Sequence, residues 1–208
     1  MGEVMSLIAI VDYGVGNLRS AQKALEYVGA EVAITKEPGV IEKARGIVLP
    51  GVGAFKSGME EIAPLKPLIL ESAEAGKPLL GICLGMQMLF DESEEGGLIK
   101  GLGLIPGRVV KFNYTGLKIP HVGWNKLSIK QKHGFLKNLE FENLYVYFVH
   151  SYHALTPEEF IVATSNYGVE FPAIATRDNI IGTQFHPEKS GLVGLKMIKN
   201  FVEICDSY

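Results

Sequence analysis

Pro78-Leu79-Leu80-Gly81-Ile82-Cys83-Leu84-Gly85-Met86-Gln87 is a short apolar run that reaches a cysteine with a glycine two residues away on either side. A run of this length bounded by glycine reads as a buried strand, and the sequence after Cys83 reads as a helix, so the cysteine falls on the corner between them. The glycines permit a tight, strained turn and close backbone approach, while the helix turns its unsatisfied N–H groups toward the sulfur. Helix N-termini and neighbouring cations favour the thiolate, the reactive form of cysteine. The competing reading is a core cysteine packed between strand and helix. The flanking glycines favour the corner. Gln87, four residues on, shares the helix face of Cys83 and presents its amide on the same side.

A cysteine nucleophile needs a base, and Gly182-Thr183-Gln184-Phe185-His186-Pro187-Glu188 offers one. In an extended chain residues two apart share a face, so His186 and Glu188 point the same way with Pro187 fixing the backbone between them. A carboxylate placed there holds one ring nitrogen so that the other faces the nucleophile. An ordinary surface His-x-Glu hydrogen bond is the alternative.

Outward from these two segments the chain alternates strands and helices. Strands are expected at Leu7–Val11, Glu31–Thr35, Gly46–Leu49 and Pro78–Ile82, with a helix from about Asn17 to Val28 capped by Asn17 and helical segments up to Ala75. Such alternation predicts an α/β fold with a mainly parallel sheet and ligands at the carboxyl ends of its strands, where Asp12, Pro50 and Cys83 fall. From Arg108 the pattern changes to short strands and turns, including Ile161–Ser165 and a hairpin Ala173–Arg177/Ile180–Phe185 turning at Asp178-Asn179. This predicts an antiparallel extension in the second half, closed by a helix from about Leu192 to Ile204 with Leu195, Ile198, Val202 and Cys205 on one face. With no repeat or linker, residues 1–208 read as one domain.

The chain has 208 residues and a formal net charge of -3, which gives no electrostatic reason to expect nucleic acid. Two cysteines suit a reducing compartment, and Cys205 reads as inert packing. The apolar stretch Leu7–Val11 is too short for a signal segment or a membrane span, which predicts a cytoplasmic protein. Met5 reads as an alternative start. Gly14-Val15-Gly16 precedes a helix, but Arg19 stands where a dinucleotide-binding fingerprint needs its third glycine. His121, His150, His153 and His186 could suggest a metal, but His150 and His153, three apart at what reads as one strand end, leave on opposite faces and no ligand pair at helical spacing compensates, so neither a metal nor a cofactor is expected. The run Asp91-Glu92-Ser93-Glu94-Glu95 reads as a solvated helix end whose acids oppose the dipole and suit a positive partner. Trp124, the single tryptophan, follows a glycine in a loop-like run and is either packing or an interface anchor. Tyr145 reads as a strand aromatic.

The Gly-x-Cys-x-Gly-x-Gln corner and the later His-Pro-Glu together resemble the class I glutamine amidotransferases, and the likeness spans nearly the whole chain. Ile47-Val48-Leu49-Pro50-Gly51-Val52-Gly53 matches the strand and loop that complete the family's oxyanion hole. Within the family, Pro50-Gly51-Val52-Gly53, Asp12-Tyr13-Gly14-Val15-Gly16-Asn17 and Pro120-His121-Val122-Gly123-Trp124-Asn125 are similar to the glutaminase subunits of imidazole glycerol phosphate synthases. Relatives serving anthranilate and GMP synthesis carry P-G-P-G in the loop and a histidine where this chain has Met86.

The resemblance implies a flavodoxin-like three-layer fold and hydrolysis of glutamine by Cys83, His186 and Glu188. It implies oxyanion donors at Leu84 and at Val52 or Gly53, and substrate contacts from Gly51, Gln87, Glu95, Ser151 and Tyr152. It also implies a heterodimer with a (β/α)₈-barrel cyclase that uses the ammonia in histidine biosynthesis, meeting it at Asn17, Trp124, Tyr147 and Lys189. Loop glycines around Val52 tolerate either peptide orientation, so the oxyanion hole is expected to be bistable and gated by that partner. The same corner also occurs in cysteine peptidases and a chaperone/deglycase-like group. Those carry a Glu on the preceding strand and no His-Pro-Glu, and a degenerate binding module would lack part of the triad.

Overall fold

The computed structural model describes residues 6–14, 16–113 and 116–208; Met5 and Val15 lie outside them. In chain order come β1 (Leu7–Val11), α1 (Leu18–Tyr27), β2 (Glu31–Thr35), α2 (Pro38–Lys43), β3 (Gly46–Leu49), α3 (Phe55–Ile62), α4 (Lys66–Glu74), β4 (Leu79–Ile82) and α5 (Leu84–Met88). The second half adds β5 (Glu92–Ser93), β6 (Ile99–Lys100), β7 (Arg108–Lys111), β8 (His121–Lys126), β9 (Ser128–Ile129), β10 (Tyr145–His150), β11 (Tyr152–Leu155), β12 (Ile161–Asn166), β13 (Glu170–Arg177), β14 (Ile180–Thr183) and α6 (Gly191–Asp206).

Among the described residues the largest sheet has eight strands in the order β2-β1-β3-β4-β14-β13-β12-β9. The first five run parallel and the remainder antiparallel, as the change of pattern near Arg108 predicts. β14 belongs to both regimes. It leaves the β13 hairpin antiparallel, then lies parallel to β4 with Gly182 beside Gly81 and Thr183 beside Ile82, which brings the His186 segment next to Cys83.

Alternation along β1 splits the core into two. Ile8 and Ile10 face α1 and α6, packing with Leu25, Phe201 and Cys205. Ala9 and Val11 face the helices of the other side, with Ile41, Phe55, Ile62 and Ile69. The result is three layers, helix on sheet on helix. A four-stranded sheet, β11-β7-β5-β6, and the ribbon β10-β8 flank the carboxyl end.

Three expectations are corrected. The acidic run is not a helix end: α5 stops at Met88, and Glu92 and Ser93 form β5. The amides of Leu102, Gly103 and Leu104 take the carbonyls of Met88, Phe90 and Leu89, so the segment after β6 terminates the helix after five residues. Trp124 lies in strand β8, not in a loop. His150 and His153 sit on two strands separated by Ser151 rather than at one strand end. The buried face of α6 carries Met197, Ile198, Phe201, Val202 and Cys205, with Leu195 half-buried.

Candidate active site

Cys83 takes φ +55° and ψ -105°, a region that side chains rarely adopt. The strain is carried by the cysteine itself, and the flanking glycines serve close approach. A Cβ on Gly81 would lie 2.7 Å from the backbone of Gly85, and one on Gly85 would lie 1.8 Å from the carbonyl oxygen of Leu49. Helix α5 is thereby pressed onto β3 and β4. The Cys83 N–H bonds to Thr183 O at 2.7 Å and its carbonyl accepts from Gln87 N at 3.1 Å, so the strained residue is tied on both sides.

A cavity of about 230 Å³ opens beside the sulfur, lined by Val52, Gly53, Cys83, Leu84, Gln87, Glu95, Pro120, Val149, His150, Ser151 and Tyr152. Every residue expected to contact substrate or oxyanion is in that lining except Gly51, which lies just behind it: a Cβ there would be 2.7 Å from Leu84 Cβ and 2.8 Å from the Tyr13 hydroxyl. Gly53 has φ +129° and needs glycine for that reason. Glu95 Oε2 accepts the N–H of Phe55 at 2.8 Å, at the start of α3, so the acid that faces the cavity also anchors the end of the Pro50–Ala54 loop. Gln87 donates through Nε2 to Tyr152 O and Gln184 Oε1, both at 3.1 Å. Both amide hydrogens are committed, which leaves the acceptor oxygen for a ligand.

His186 follows β14 in extended conformation, but Glu188 reaches it from a 3-10 turn, Pro187–Lys189, not from a continuing strand. The contact is nevertheless made: Nδ1 of His186 is 2.8 Å from Glu188 Oε1, with both side chains buried. Its carboxylate partner fixes the N–H on Nδ1. Among the described residues Nε2 is buried with no well-aligned hydrogen-bond partner. Burial lowers the basicity of the ring, but the adjacent Cys83 and Glu188 outweigh it and raise the pKa to about 9. A single hydroxyl steadies the turn. Ser190 Oγ donates to His186 O at 2.6 Å and accepts from Tyr147 N at 3.0 Å, while His186 N donates to Tyr147 O at 2.9 Å.

Among the described residues the other histidines form no such pair with a carboxylate. His150 Nδ1 lies 2.8 Å from Tyr152 O and must donate to it, so His150 Nε2 is an acceptor for His121 Nδ1–H at 3.0 Å. His121 Nε2 in turn faces Asn125 Nδ2 at 3.4 Å. Burial pushes His121 down to about 4 and His150 down to about 3. The rings stack among Phe112, Phe148, Tyr167 and Phe171.

Of the remaining expected residues, Asn17 caps α1 by accepting from Ser20 N at 3.4 Å. Trp124 is 56% exposed and packs edge-on against its cross-strand neighbour Tyr147 at 6.1 Å. Lys189 is exposed at the end of the His186 turn. Three further site residues carry no role in the sequence reading. Tyr13 is buried with its hydroxyl on the Pro50 carbonyl, and burial together with Cys83 raises its pKa. Ser190 is the clamp just described. Gln184 bridges Gln87 to the Cys83 sulfur; the two-residue alternation that pairs His186 with Glu188 would also have singled it out.

Comparisons with known proteins identify the family of this chain. The family model for glutamine amidotransferase class-I matches residues 9–205. Imidazole glycerol phosphate synthase subunit HisH of Methanosarcina acetivorans is 54% identical over 203 residues, 97% of this chain and 100% of that protein. The HisH protein of Archaeoglobus fulgidus is 52% identical over 95% of this chain and 98% of its own length, and that of Listeria innocua 48% over 97% of each. Among solved structures, PurLQS from Thermotoga maritima shares the fold with TM-score 0.76 at 22% identity, covering 97% of this chain and 99% of that one. By motif, fold and full-length identity, the chain belongs to the class I glutamine amidotransferases and, within them, to the HisH subunits of imidazole glycerol phosphate synthase.

Proposed function

We propose that residues 1–208 act as one glutaminase domain that hydrolyses glutamine to glutamate and ammonia and delivers the ammonia to a (β/α)₈-barrel cyclase for histidine biosynthesis in the cytoplasm. The single observation that carries this is the strained Cys83, which lines the cavity, meeting the buried His186–Glu188 pair beside its side chain. In the reaction Cys83 Sγ attacks the side-chain carboxamide carbon and its proton passes to His186 Nε2. The imidazolium, held by Glu188, gives a proton to the departing ammonia, leaving a glutamyl thioester. Water, deprotonated by the same nitrogen, cleaves the thioester to glutamate and restores the thiol. Gln87 Oε1 and Glu95 are the acceptors available to the ammonium of the substrate, and Ser151 and Tyr152 border the same end.

The oxyanion hole is closed in this arrangement. Leu84 N donates to Gly51 O at 3.4 Å, so a carbonyl occupies the donor meant for the oxyanion. Val52 N–H belongs to the same planar peptide and points the opposite way. Turning that peptide over would release Leu84 N–H and add Val52 N–H. One missing donor costs about 2.7–4 kcal/mol in the barrier. Glutaminase activity of the chain alone is therefore expected to be weak and to rise on the order of 10²-fold or more with the cyclase and its nucleotide ligand. Asn17, Trp124, Tyr147 and Lys189 are the residues proposed to meet that partner. No helix among the described residues is long and apolar enough to cross a membrane.

The test is reaction with a glutamine-analogue electrophile followed by peptide mass mapping, with glutaminase rates measured with and without cyclase and ligand. Stoichiometric mass added at Cys83 is expected, and an unmodified Cys83 would overturn the assignment. Full activity alone, unchanged by partner and ligand, would remove the gate and leave the glutaminase reading.

A further inference from the structure

The Cys83 sulfur sits between an acceptor and a donor. Val149 O is 3.7 Å from Sγ on one side, and Gln184 Nε2 is 3.8 Å away on the other. Gln184 is fully buried, and its backbone N–H is fixed on Ala173 O at 2.9 Å.

The way the Gln184 amide faces is dictated by a chain of partners. A carbonyl only accepts, so the Gln87 atom 3.1 Å from Tyr152 O is Nε2. That nitrogen's second hydrogen is directed at Gln184, 3.1 Å away, which must therefore present its oxygen. Nε2 of Gln184 is left to face the sulfur. Reversing the amide would set two donors against each other and aim an oxygen at the sulfur lone pairs.

We propose that Gln184 is a positioning residue for the Cys83 nucleophile, its amide N–H holding the sulfur and favouring the ionised form once the proton has moved to His186. This rests on the reading of Cys83 as the nucleophile. When Sγ loses its proton to His186 Nε2, the Val149 carbonyl is left facing an anion, which is unfavourable. The Gln184 N–H gains strength as a charge-assisted donor instead.

The other titratable groups around the sulfur come from each neighbouring element. They are His186 backed by Glu188, Tyr13 from the loop after β1, His150 and Tyr152 from β10 and β11, and Glu95 after β5. Tyr13 and His150 are neutral near pH 7 through burial. His186 with its partner Glu188, and Glu95, are the groups left with which Gln184 shares the sulfur's environment.

The full-length chain, its Gln184→Met variant, of similar length but without a donor, and its Gln184→Glu variant, which keeps the acceptor for Gln87, are alkylated with iodoacetamide from about pH 6 to about pH 9.5, a span wide enough to bracket an ordinary thiol's titration. The Cys83 peptide is quantified by mass. A charge-assisted bond lost from the ionised sulfur predicts about tenfold slower alkylation of Gln184→Met near pH 6 and less than about twofold change near pH 9.5. Gln184→Glu, with an anion beside the sulfur, is expected to displace the profile further to high pH.

Wild-type profiles in both folded variants, with only thermal stability altered, would overturn the proposal. If Gln184→Met does not fold, an unchanged profile in Gln184→Glu overturns it alone. Glutamine hydrolysis by the wild-type chain in complex is measured in parallel. Its absence would refute the proposed function, while the alkylation profiles still decide the role of Gln184.

Discussion

His186 and His150 are 1% and 5% exposed, so both rings have left water, yet their basicities are driven in opposite directions, up to about 9 and down to about 3. Burial penalises the charged ring in both. The difference lies in the partners. His186 has a buried carboxylate at 2.8 Å and a thiol beside it, whereas His150 has a backbone carbonyl and a neutral ring. On two sides of Cys83 the molecule has one imidazole that favours its proton and another locked neutral, where its tautomer holds the Tyr152 carbonyl that also anchors Gln87. The lesson is that a histidine's role is set by what its Nδ1 touches more than by depth of burial.

The largest way to break the comparison is to remove what the charged histidine serves. Cys83→Ala is expected to lower glutamine-dependent synthesis in the reconstituted complex by at least about 10⁴-fold and to leave ammonia-driven synthesis within about twofold, read by product formation with either nitrogen source. Loss of both would show that Cys83 does more than glutaminolysis. Next, His186→Ala should cost about 10³–10⁴-fold in kcat and Glu188→Gln about tenfold less. The glutamine variant also makes His186 resemble His150, so its NMR titration should move down from about 9; a titration left in place would show that the carboxylate is not what holds the proton.

A smaller effect appears in stability against pH. His186 binds its proton more tightly in the fold than in the unfolded chain, so its contribution is complete below about pH 6.5 and is lost as pH rises through about 9. His121 and His150 bind theirs less tightly. Their contribution is complete above about pH 6.5 and is lost as pH falls toward about 4 and about 3. Urea denaturation across pH should therefore show Glu188→Gln losing part of the alkaline limb and His150→Phe part of the acid limb. The reverse assignment would contradict these charge states. The smallest expected effect is that of Asn125→Ala, which removes the donor to His121 and should cost about 0.5–1.5 kcal/mol with activity within about twofold.

Much of the fold and the triad is legible in the residues alone. Apolar runs that stop at Asp12, Pro50 and Cys83 mark β1, β3 and β4 almost to the residue because buried parallel strands carry no polar alternation to blur them. The corner at Cys83 announces itself because only glycine survives where Leu49 O comes within 1.8 Å of a would-be side chain. What escapes such reading depends on partners distant in sequence. The acidic run looks like a helix end until residues 102–104 are seen to take the helix's last carbonyls. Glu95 finds Phe55 across 40 positions. His121 meets His150 only through the register of β8 on β10. Gln184 and Ser190 flank the motif; alternation puts Gln184 on the His186 face, but its partners Gln87 and Cys83, and Tyr147 for Ser190, are distant in sequence.

The backbone of Cys83 has a consequence of another kind. A side chain at φ +55° costs the fold on the order of 1–3 kcal/mol, which glycine would not incur. Cys83→Gly should therefore yield a protein that is inert toward glutamine but melts higher, by roughly 2–4 °C for each kcal/mol recovered. A higher melting temperature in Cys83→Gly would locate in one residue a stability cost that the reactive corner carries; an unchanged or lower one would show that the corner is not strained on balance.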